Sequence, residues 1–439
     1  MKMIPRIKSF RVKLLPNNKQ KTKLFQFAGA VRFAYNWALE QQMKHIQETG
    51  KMFSNSDLRK EFTKLKNSGE KPWLLGISNN VMKQAIKDCC KAFSRFNKLK
   101  NRKGYIPFSK KKLDHFNRIG KEPTVYDMNG HPKFKSKKKQ QFSFYQDTAK
   151  IRFTGIHVKL ECIANSKKKN RQRLNWIKLS EKNKIPVNAR YANPRISFDG
   201  ENWWISISIL PKIKPMPSNL KFNRKLTIKK TREQTDGLGI DLGVKDLAIC
   251  SDSTKFKNIN KSKKVRKLEK TRRRLQRQVS RKYQMNKKGE SYCKTGNITK
   301  SENRLRRINH RLSNIRQNHV HQATTAIIKR EPSFICLEDL SVNGMMKNKH
   351  LSKAIQDQKL REFRRQIEYK AKWNGIPVVI ADRFYPSSKT CVCCGNIKKD
   401  LKLSDRIYRC ENCENVIDRD FQAALNLKHY GEKMLDYAA

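Results

Sequence analysis

The sequence predicts a multidomain protein that combines an α+β part with a following α/β part. Two changes in hydrophobic periodicity predict this. Apolar residues recur at three- and four-residue steps in the first quarter of the chain, and they alternate with polar residues between about 121 and 230. From Gly237 onward, short apolar strands alternate with helical stretches. The length of 439 residues allows several domains.

The first region is basic and helical. Residues 5–15 predict a strand that enters a proline turn, and a helix is predicted from Asn18 to about Glu48. The apolar positions of this helix are Leu24, Phe27, Ala28, Val31, Tyr35 and Leu39. A second helix is predicted over roughly 76–100. We therefore place a helical domain at residues 17–120.

The next region has the period of strands. Four segments alternate apolar and polar residues: KIRFTG, HVKLECIA, RISFDG and WWISISIL. Asp199 and Gly200 predict a hairpin turn before the last of them. These segments predict a β region at about 121–230. Residues 211–235 lack periodicity and are interpreted as a linker.

The charge of the chain indicates its class of partner. There are 100 Lys and Arg residues against 37 Asp and Glu, a net charge of +63. Such a fold repels itself unless a polyanion neutralises it, so nucleic acid is the expected partner. An anionic membrane surface is the other candidate. However, no run of about 18 apolar residues is present, and the N-terminus lacks the apolar core of a signal peptide, so we expect no membrane partner.

Basic residues are densest at 261–330. This segment predicts two helices around a Lys- and Gly-rich loop at 286–300. One stripe is apolar and consists of Leu305, Ile308, Leu312 and Ile315. Arg and Lys fill the remaining faces, which predicts a phosphate-facing surface. A solvated helical hairpin is the alternative interpretation.

Three acidic residues have unusual settings. Asp241 lies inside the apolar strand GLGIDLGV, Glu338 ends the strand SFICLEDL, and Asp420 opens a helical segment. A carboxylate on a buried strand costs free energy unless it is paired. Grouped carboxylates are ligands for hard divalent cations such as Mg²⁺. Each could instead be a structural hydrogen-bond acceptor, and Asp339 and Asp418 are neighbouring alternatives.

The cysteines form a metal-binding pattern. The chain has eleven cysteines, and five of them lie within residues 391–413. The odd total and this clustering suit a reducing compartment better than a disulfide framework. The four predicted zinc ligands are Cys391, Cys394, Cys410 and Cys413. Their spacing predicts a four-cysteine zinc ribbon at 389–414 with one structural Zn²⁺, and Cys393 is surplus. Unliganded or redox thiols are the alternative.

Several motifs together resemble the TnpB (OrfB) family of insertion-sequence proteins, which shares its nuclease core with type V CRISPR effectors. The C-terminal motifs are GIDLGVKDLA at 239–248, FICLEDLSVNGM at 334–345, SSKTCVCCG at 387–395, YRCENC at 408–413 and DRDFQAALNL at 418–427. FAYNWALEQ at 33–41 and HPKFKSKK at 131–138 resemble the family's N-terminal half. The resemblance therefore covers nearly the whole chain.

The resemblance implies a ribonuclease H-like (RuvC) nuclease core with an inserted zinc ribbon, a helical recognition domain and a wedge-like β-barrel. The barrel would comprise residues 1–16 and 121–230. The nuclease core would comprise residues 236–388 and 415–439. The implied catalytic acids are Asp241, Glu338 and Asp420, which would bind Mg²⁺ or Mn²⁺. Asp420 is preferred to Asp418 because the family's third acid directly precedes the x-x-A-A-x-N run.

The implied activity is RNA-guided cleavage of double-stranded DNA. The guide RNA would come from the transposon end, a short target-adjacent motif would be recognised by the protein, and base pairing would recognise the rest. Lys83 and Gln84, on the helix at 76–100, are candidate base-edge contacts. An ordinary surface helix is the alternative. The resemblance also implies a prokaryotic cytoplasmic, nucleoid-associated protein with a separate transposase encoded nearby.

Other functions share parts of this pattern. A miniature type V CRISPR effector would have the same chemistry with a different guide source. A non-cleaving, RNA-guided repressor could dispense with the acids, and all three are present. The GIDLG strand also suits a sugar kinase or chaperone-type ATPase, against which the charge and the cysteine pattern argue. A DNA-joining transposase could use the same acids.

Overall fold

The computed structural model describes residues 7–136, 142–161, 175–210, 236–289, 291–398, 400–401 and 405–436. The chain divides into two compact units, Met1–Phe222 and Asn223–Ala439. Within the described ranges, no helix is both long enough and apolar enough to cross a membrane.

The first unit contains four described α-helices. They are α1 (Asn18–Thr49), α2 (Asn55–Asn67), α3 (Asn79–Lys100) and α4 (Lys110–Ile119). Helix α1 begins with a capping box, in which the side chains of Asn17 and Gln20 each accept a hydrogen bond from the other's backbone N–H. It ends at Gly50, whose φ of 69° fits a left-handed cap. The predicted helices at 18–48 and 76–100 are confirmed, whereas α2 and α4 were not predicted as separate helices.

A seven-stranded sheet completes the first unit. Its strands are β1 (Lys8–Leu15), β2 (Phe142–Tyr145), β3 (Arg152–Phe153), β4 (His157–Lys159), β5 (Trp176–Leu179), β6 (Arg190–Phe198) and β7 (Trp203–Leu210). Their order is β2-β6-β7-β1-β5-β4-β3, and every neighbouring pair is antiparallel. In the described strands β2 and β3 do not pair, so closure into a barrel stays a prediction.

The predicted hairpin between β6 and β7 is confirmed. Asp199 Oδ1 accepts hydrogen bonds from the backbone N–H groups of Glu201 and Asn202, and Gly200 has a φ of 98°. This Asp-Gly turn sets the register that pairs Phe198 with Trp203. The predicted linker at 211–235 lies outside the described residues.

Helices and sheet of the first unit share one hydrophobic core. The apolar stripe predicted for α1 packs with α3 and with the inward face of the sheet. For example, the ring of Phe27 lies 5.8 Å from that of Phe144 on β2. The predicted boundaries of the helical and β domains are not marked by separate cores, and they stay predictions.

The second unit is built on a five-stranded sheet. Its strands are β8 (Leu238–Leu242), β9 (Asp246–Cys250), β10 (Lys255–Lys257), β13 (Ile335–Glu338) and β14 (Val378–Ala381). The order is β10-β9-β8-β13-β14. Strand β9 is antiparallel to both β10 and β8, and β13 runs parallel to both β8 and β14. Parallel strands need crossover connections, which the helices between them provide.

Helices and two short hairpins surround this sheet or extend the chain beyond it. The helices are α5 (Lys263–Met285), α6 (Gly296–Lys329), α7 (Val342–Met345), α8 (Ser352–Gln358), α9 (Leu360–Asn374) and α10 (Arg419–Asp436). The hairpins are β11 (Lys287–Lys288) with β12 (Ser291–Tyr292), and β15 (Ile407–Arg409) with β16 (Val416–Asp418). Helices α5 and α6 confirm the predicted basic hairpin, and its apolar stripe includes the buried Leu312.

The two faces of the second sheet have different partners. On β13, Ile335 and Leu337 belong to the larger core, with buried side chains of α6 and α9. The alternate residues Phe334 and Cys336 contact the smaller core, to which α10 contributes Leu427. Since side chains alternate along a strand, Glu338 falls on the α10 face. On β8, the same parity puts Asp241 on that face, because Ile240 and Leu242 point into the larger core.

The residues around 351–373 do not form one continuous helix. The structure has two helices, α8 and α9, separated by Lys359 in the left-handed conformation with φ 57°. A non-glycine residue takes this conformation at a cost. Contacts on both sides compensate: Gln358 donates to the carbonyls of Gly243 and Val244, and Lys359 Nζ donates to Gln317. These are tertiary contacts, which helical periodicity does not encode.

Helix α10 lies directly on strand β8 at Gly239. A Cβ at this position would lie 2.0 Å from the carbonyl oxygen of Ala424 and 2.4 Å from the backbone nitrogen of Lys428. Both are backbone atoms of the helix and cannot move separately. The absence of a side chain at Gly239 therefore sets how closely α10 approaches the sheet.

We predict that Gly239→Ala destabilises the protein by about 1–3 kcal/mol, since the helix must shift to accept the methyl group. Gly29→Ala is the matched control, because a methyl group at this position on α1 would have no neighbouring atom within 4 Å. That control should be neutral or stabilising by up to about 1 kcal/mol, as expected for alanine in a helix. Urea denaturation of both variants measures the difference. Equal stabilities would contradict the close approach.

Candidate functional site

Three elements of the second unit bring carboxylates to one place. Asp241 lies on β8, Glu338 ends β13, and Asp420 is the second residue of α10. Strands β8 and β13 pair in parallel with Leu337 opposite Ile240. Asp241 and Glu338, the next residues on the two strands, therefore lie side by side on the face that α10 covers.

Electrostatics links the three carboxylates. Burial raises the pKa of Asp241 well above its ordinary value, and the negative charges of Glu338 and then Asp420 raise it further. Burial also raises the pKa of Glu338. Mutual repulsion of this kind disfavours ionisation, and a divalent cation among the oxygens would relieve it.

Two of the three carboxylates, those of Glu338 and Asp420, have hydrogen-bond or ion-pair partners within the protein. Ser387 Oγ donates a hydrogen bond of 2.6 Å to Glu338 Oε1. Asp420 Oδ1 accepts from Arg419 Nε at 3.2 Å and from its terminal nitrogen at 3.0 Å. Arg406 approaches Asp420 Oδ2 to 3.6 Å. These cations offset part of the negative charge beside Asp241.

Asp418 and Asp339, the neighbouring acids that the sequence offers as alternatives, have other contacts. Asp418 Oδ1 accepts from the backbone N–H groups of Asp420 and Phe421, which caps the first turn of α10. Asp339 accepts from Arg364 at 2.6 Å and also pairs with Arg383. These hydrogen bonds hold the pKa of Asp339 below its usual value. Both acids therefore have a structural explanation.

A cavity of about 430 Å³ opens beside Glu338. Its lining combines the end of β13 with the segment after β14, including Asp339, Arg383, Phe384, Ser387 and Lys389. The size suits a nucleotide-sized group. Glu338 is the predicted catalytic residue that faces this space.

The four predicted metal cysteines form a second centre. The sulfur atoms of Cys391, Cys394, Cys410 and Cys413 all lie within 4.8 Å of one another. Two of the Sγ–Sγ distances are 3.6 Å and 3.5 Å. A tetrahedron with Zn–S bonds of about 2.3 Å has edges of about 3.8 Å, so the cluster is compatible with structural zinc. In the described ranges it is the one group of three or more potential ligands at such distances, so the three carboxylates are less tightly gathered.

Two similar knuckles build this cluster. The backbone N–H of Cys391 donates to the carbonyl of Asn396, and that of Cys410 donates to the carbonyl of Asn415. Left-handed residues follow each pair of cysteines: Gly395 with φ 73° and Glu414 with φ 55°. The backbone N–H of Cys413, together with that of Asn412, lowers the pKa of the Cys410 thiol to about 6, which favours the thiolate that binds metal.

The predicted base-edge contacts lie on α3 in the first unit. Lys83 is exposed, whereas Gln84 is half-buried and donates from Nε2 to Asp88 Oδ1 at 2.8 Å. Asp88 in turn accepts two hydrogen bonds from Arg195 on β6. Gln84 thus belongs to a network within its own unit. Base recognition by either residue stays a prediction.

Helix α5 presents a basic groove of about 440 Å³. It is lined by Arg273, Gln276, Arg277, Ser280 and Arg281. All five side chains are exposed on successive turns of the helix. Guanidinium groups in such a row suit phosphate oxygens, which they can bind through two hydrogen bonds at a time.

Three family descriptions match separate parts of the chain. "Probable transposase", from the OrfB family of IS605-type elements, matches residues 218–349. "Cas12f1-like, TNB domain" matches residues 361–427, which contain the cysteine cluster. "Helix-turn-helix domain", again of OrfB proteins, matches residues 3–51. The described part of that last range holds one strand and one uninterrupted helix.

Two relatives match almost the full length. "Putative RNA-guided DNA endonuclease InsQ" of Escherichia coli is 25% identical over 98% of this chain and 94% of its own length. "Putative RNA-guided DNA endonuclease" of Streptomyces pristinaespiralis is 26% identical over 96% of this chain and 88% of its own.

Similar solved structures include a CRISPR-Cas_phi3 mini-RNA-guided endonuclease, at 10% identity and a TM-score of 0.46 over 97% of this chain and 92% of that one. A Cas12f1-sgRNA-target DNA complex has 16% identity and a TM-score of 0.32 over 96% and 99%.

Sequence reasoning missed the residues that support the carboxylates. Ser387 was noticed within the SSKTCVCCG motif but not as a partner of Glu338. Arg406 and Arg419 lie among many basic residues and carry no distinguishing sequence signal. Gly239 belongs to the GIDLG motif, and its place two residues before Asp241 is the sequence signal that could have indicated its role beside the site.

We predict that the purified protein contains one zinc per chain and that Cys413→Ser lowers both zinc content and stability. Metal binding contributes directly to the free energy of folding, so the thermal midpoint should fall by about 5 °C or more. Cys393→Ser is the matched control, because this exposed thiol lies outside the cluster. Elemental analysis and calorimetry measure the two effects. A normal midpoint in a zinc-free Cys413→Ser protein would refute the assignment.

Proposed function

The chain belongs to the TnpB (OrfB) family of insertion-sequence proteins, and on that premise we propose that it is an RNA-guided, Mg²⁺-dependent endonuclease that cleaves double-stranded DNA. The observation that carries this proposal is the convergence of Asp241, Glu338 and Asp420. They come from three separate elements and meet on one face of a mixed sheet.

The sheet order supports a ribonuclease H-like (RuvC) core. Three antiparallel strands are extended by two parallel ones, and the acids lie on the adjacent strands β8 and β13 and on the covering helix. In this proposal residues 236–388 and 415–439 form the nuclease domain. The zinc ribbon at 389–414 is inserted between β14 and α10, and it has a structural role because all four thiolates are used.

The donor set fits hard divalent cations. Carboxylate oxygens are the ligands that Mg²⁺ and Mn²⁺ prefer, and a site of this kind usually completes its coordination with water and phosphate oxygens. When bound, such ions would activate the attacking water and stabilise the leaving oxygen. Asp241, Glu338 and Asp420 would hold them. Arg406 and Arg419, beside Asp420, are placed to attract the phosphodiester.

Nucleic-acid binding follows from the charge. With +63 overall, the chain can neutralise many phosphates, and the groove on α5 is one place to do so. We propose that the helical region 17–120 and the β region 1–16 with 121–230 bind the guide RNA and the target duplex. Lys83 and Gln84 stay candidates for recognition of the target-adjacent motif. The guide would come from the transposon end, and a separately encoded transposase would carry out transposition.

A miniature type V CRISPR effector is the second candidate. The match of residues 361–427 to the Cas12f1-like description favours it. Its chemistry would be the same, and the source of the guide would differ. The RNA that copurifies with the protein distinguishes the two.

We predict that Asp241→Ala and Glu338→Gln reduce DNA cleavage at least about 100-fold, since each removes an oxygen ligand worth several kcal/mol in the transition state. Guided DNA binding should change little, because these acids do not contact the duplex. Asp252→Asn is the matched control: this carboxylate pairs at the surface with Arg330 on the same unit. Rapid-quench cleavage and filter binding give both quantities. Wild-type cleavage by Asp241→Ala would exclude the site.

We predict that the protein, expressed with its native flanking DNA, copurifies with one discrete RNA that ends in the transposon sequence. Sequencing of that RNA supplies the target for the cleavage assay. Repeat-spacer RNA would assign the chain to the CRISPR class. Heterogeneous cellular RNA would mean that the charge serves unguided nucleic-acid binding, which contradicts the proposal.

A further inference from the structure

We propose that Ser387 is a positioning residue for Glu338 and that its hydroxyl fixes the carboxylate in the orientation that receives the divalent cation. The inference rests on the proposed function for the role of Glu338. Ser387 lies in a short segment, residues 386–390, which connects β14 to the first cysteine and is called the strap below.

The contact between the two side chains is short and enclosed. Ser387 Oγ lies 2.6 Å from Glu338 Oε1, within the range of hydrogen bonds from a hydroxyl to a carboxylate. Ser387 is only 4% exposed. Water therefore competes little for the hydroxyl, which strengthens its bond to the carboxylate.

The strap holds the hydroxyl in place through its own backbone. The N–H of Ser387 donates to the carbonyl of Tyr385, and those of Lys389 and Thr390 donate to the carbonyl of Pro386. Thr390 Oγ1 donates to the same carbonyl at 2.9 Å. These bonds close the strap into a tight turn with Ser387 on its inner side.

Helix α10 holds the strap through hydrogen bonds from the side chain of Asn426. Asn426 Nδ2 donates to the carbonyls of Ser387 and Thr390, each at 2.7 Å. Both hydrogens of this amide are used, and Asn426 is 3% exposed. Asp420 lies on the same helix, less than two turns earlier. One rigid element therefore carries Asp420 and also holds the strap that orients Glu338.

The other end of the strap is anchored by the first cysteine knuckle. The N–H of Lys398 donates to the carbonyl of Lys389, and Thr390 pairs with Ile397 in an isolated antiparallel bridge. Cys391 follows directly. Hydrogen bonds thus hold both ends of the strap, and they keep Ser387 beside Glu338 while the knuckle is folded.

Glu338 needs such a partner for two reasons. The final torsion of a glutamate side chain is broad, so packing alone leaves the carboxylate free to turn. Repulsion from Asp241 and Asp420 would also push it away from the site. The bond to Oε1 opposes both effects and leaves Oε2 for a ligand. Partners of metal ligands commonly contribute 10- to 100-fold in metal affinity, as an order of magnitude.

Mn²⁺ binding to the full chain, followed by electron paramagnetic resonance, tests the proposal without DNA. Ser387→Ala should weaken Mn²⁺ binding about 10-fold or more, and the conservative Ser387→Thr should restore most of that loss. Ser388→Ala is the matched control, because in the described part of the chain the hydroxyl of this neighbouring serine contacts no carboxylate. Melting temperatures, measured alongside, should remain within a few degrees for all three.

A double-mutant cycle shows whether Ser387 acts through Glu338. In a Glu338→Ala background, which offers no oxygen for the hydroxyl to hold, Ser387→Ala should cause no further loss of Mn²⁺ affinity. An equal loss in both backgrounds, or wild-type affinity in Ser387→Ala itself, would overturn the inference. The outcome is separate from the nuclease assignment: a chain that never cuts DNA but shows this cycle keeps the positioning role and loses the proposed function. A chain that cuts DNA but shows an equal loss of Mn²⁺ affinity in both backgrounds keeps the proposed function and loses the positioning role.

Discussion

Three carboxylates that share one face of the sheet and are partly removed from water impose the constraint on which the second unit depends. Burial, and then the charges of Glu338 and Asp420, raise the pKa of Asp241 well above the ordinary value, so this grouping costs free energy in the folded protein. Rigid elements maintain the grouping: two adjacent parallel strands carry Asp241 and Glu338, and a packed helix carries Asp420. Cationic and hydroxyl partners reduce the cost, with Arg419 on Asp420 and Ser387 on Glu338. Such an arrangement is typical of a site that awaits a counter-charge.

Helix α10 is the element through which these demands are met together. Its backbone contacts β8 where Gly239 has no side chain, which brings the start of the helix beside the strand that carries Asp241. Asp418 caps that start, and the amide of Asn426 holds the strap. A change in the position of this helix would therefore alter all three carboxylates at once. The same contacts explain why acids that are close in sequence differ in role, since Asp418 serves the helix backbone and Asp420 faces the other carboxylates.

Local patterns predicted much of this fold. Helical spacing identified α1 and α3, alternation identified β7, and the cysteine spacing identified a cluster whose four sulfur atoms meet. The left-handed Lys359 was missed because contacts from distant parts of the chain, rather than its own residue type, stabilise the break. The settings of Asp241, Glu338 and Asp420 in the sequence, together with the family resemblance, predict them as site residues, and the structure places them on one face of the sheet. Ser387 could not be chosen, because a serine before a cysteine motif has no local signal for a partner 49 residues away.

The insertion of the cysteine cluster between β14 and α10 has a consequence for biosynthesis. The ribosome delivers the two strand acids first, then the cluster, and Asp420 only afterwards. A chain interrupted before residue 415 would retain the basic helices of both units while lacking the third carboxylate and the helix that carries it. On the proposed function, such a fragment could hold RNA and DNA but could not cut. Nuclease activity would thus arise only once helix α10 has been made, after most of the surface proposed to bind the guide already exists.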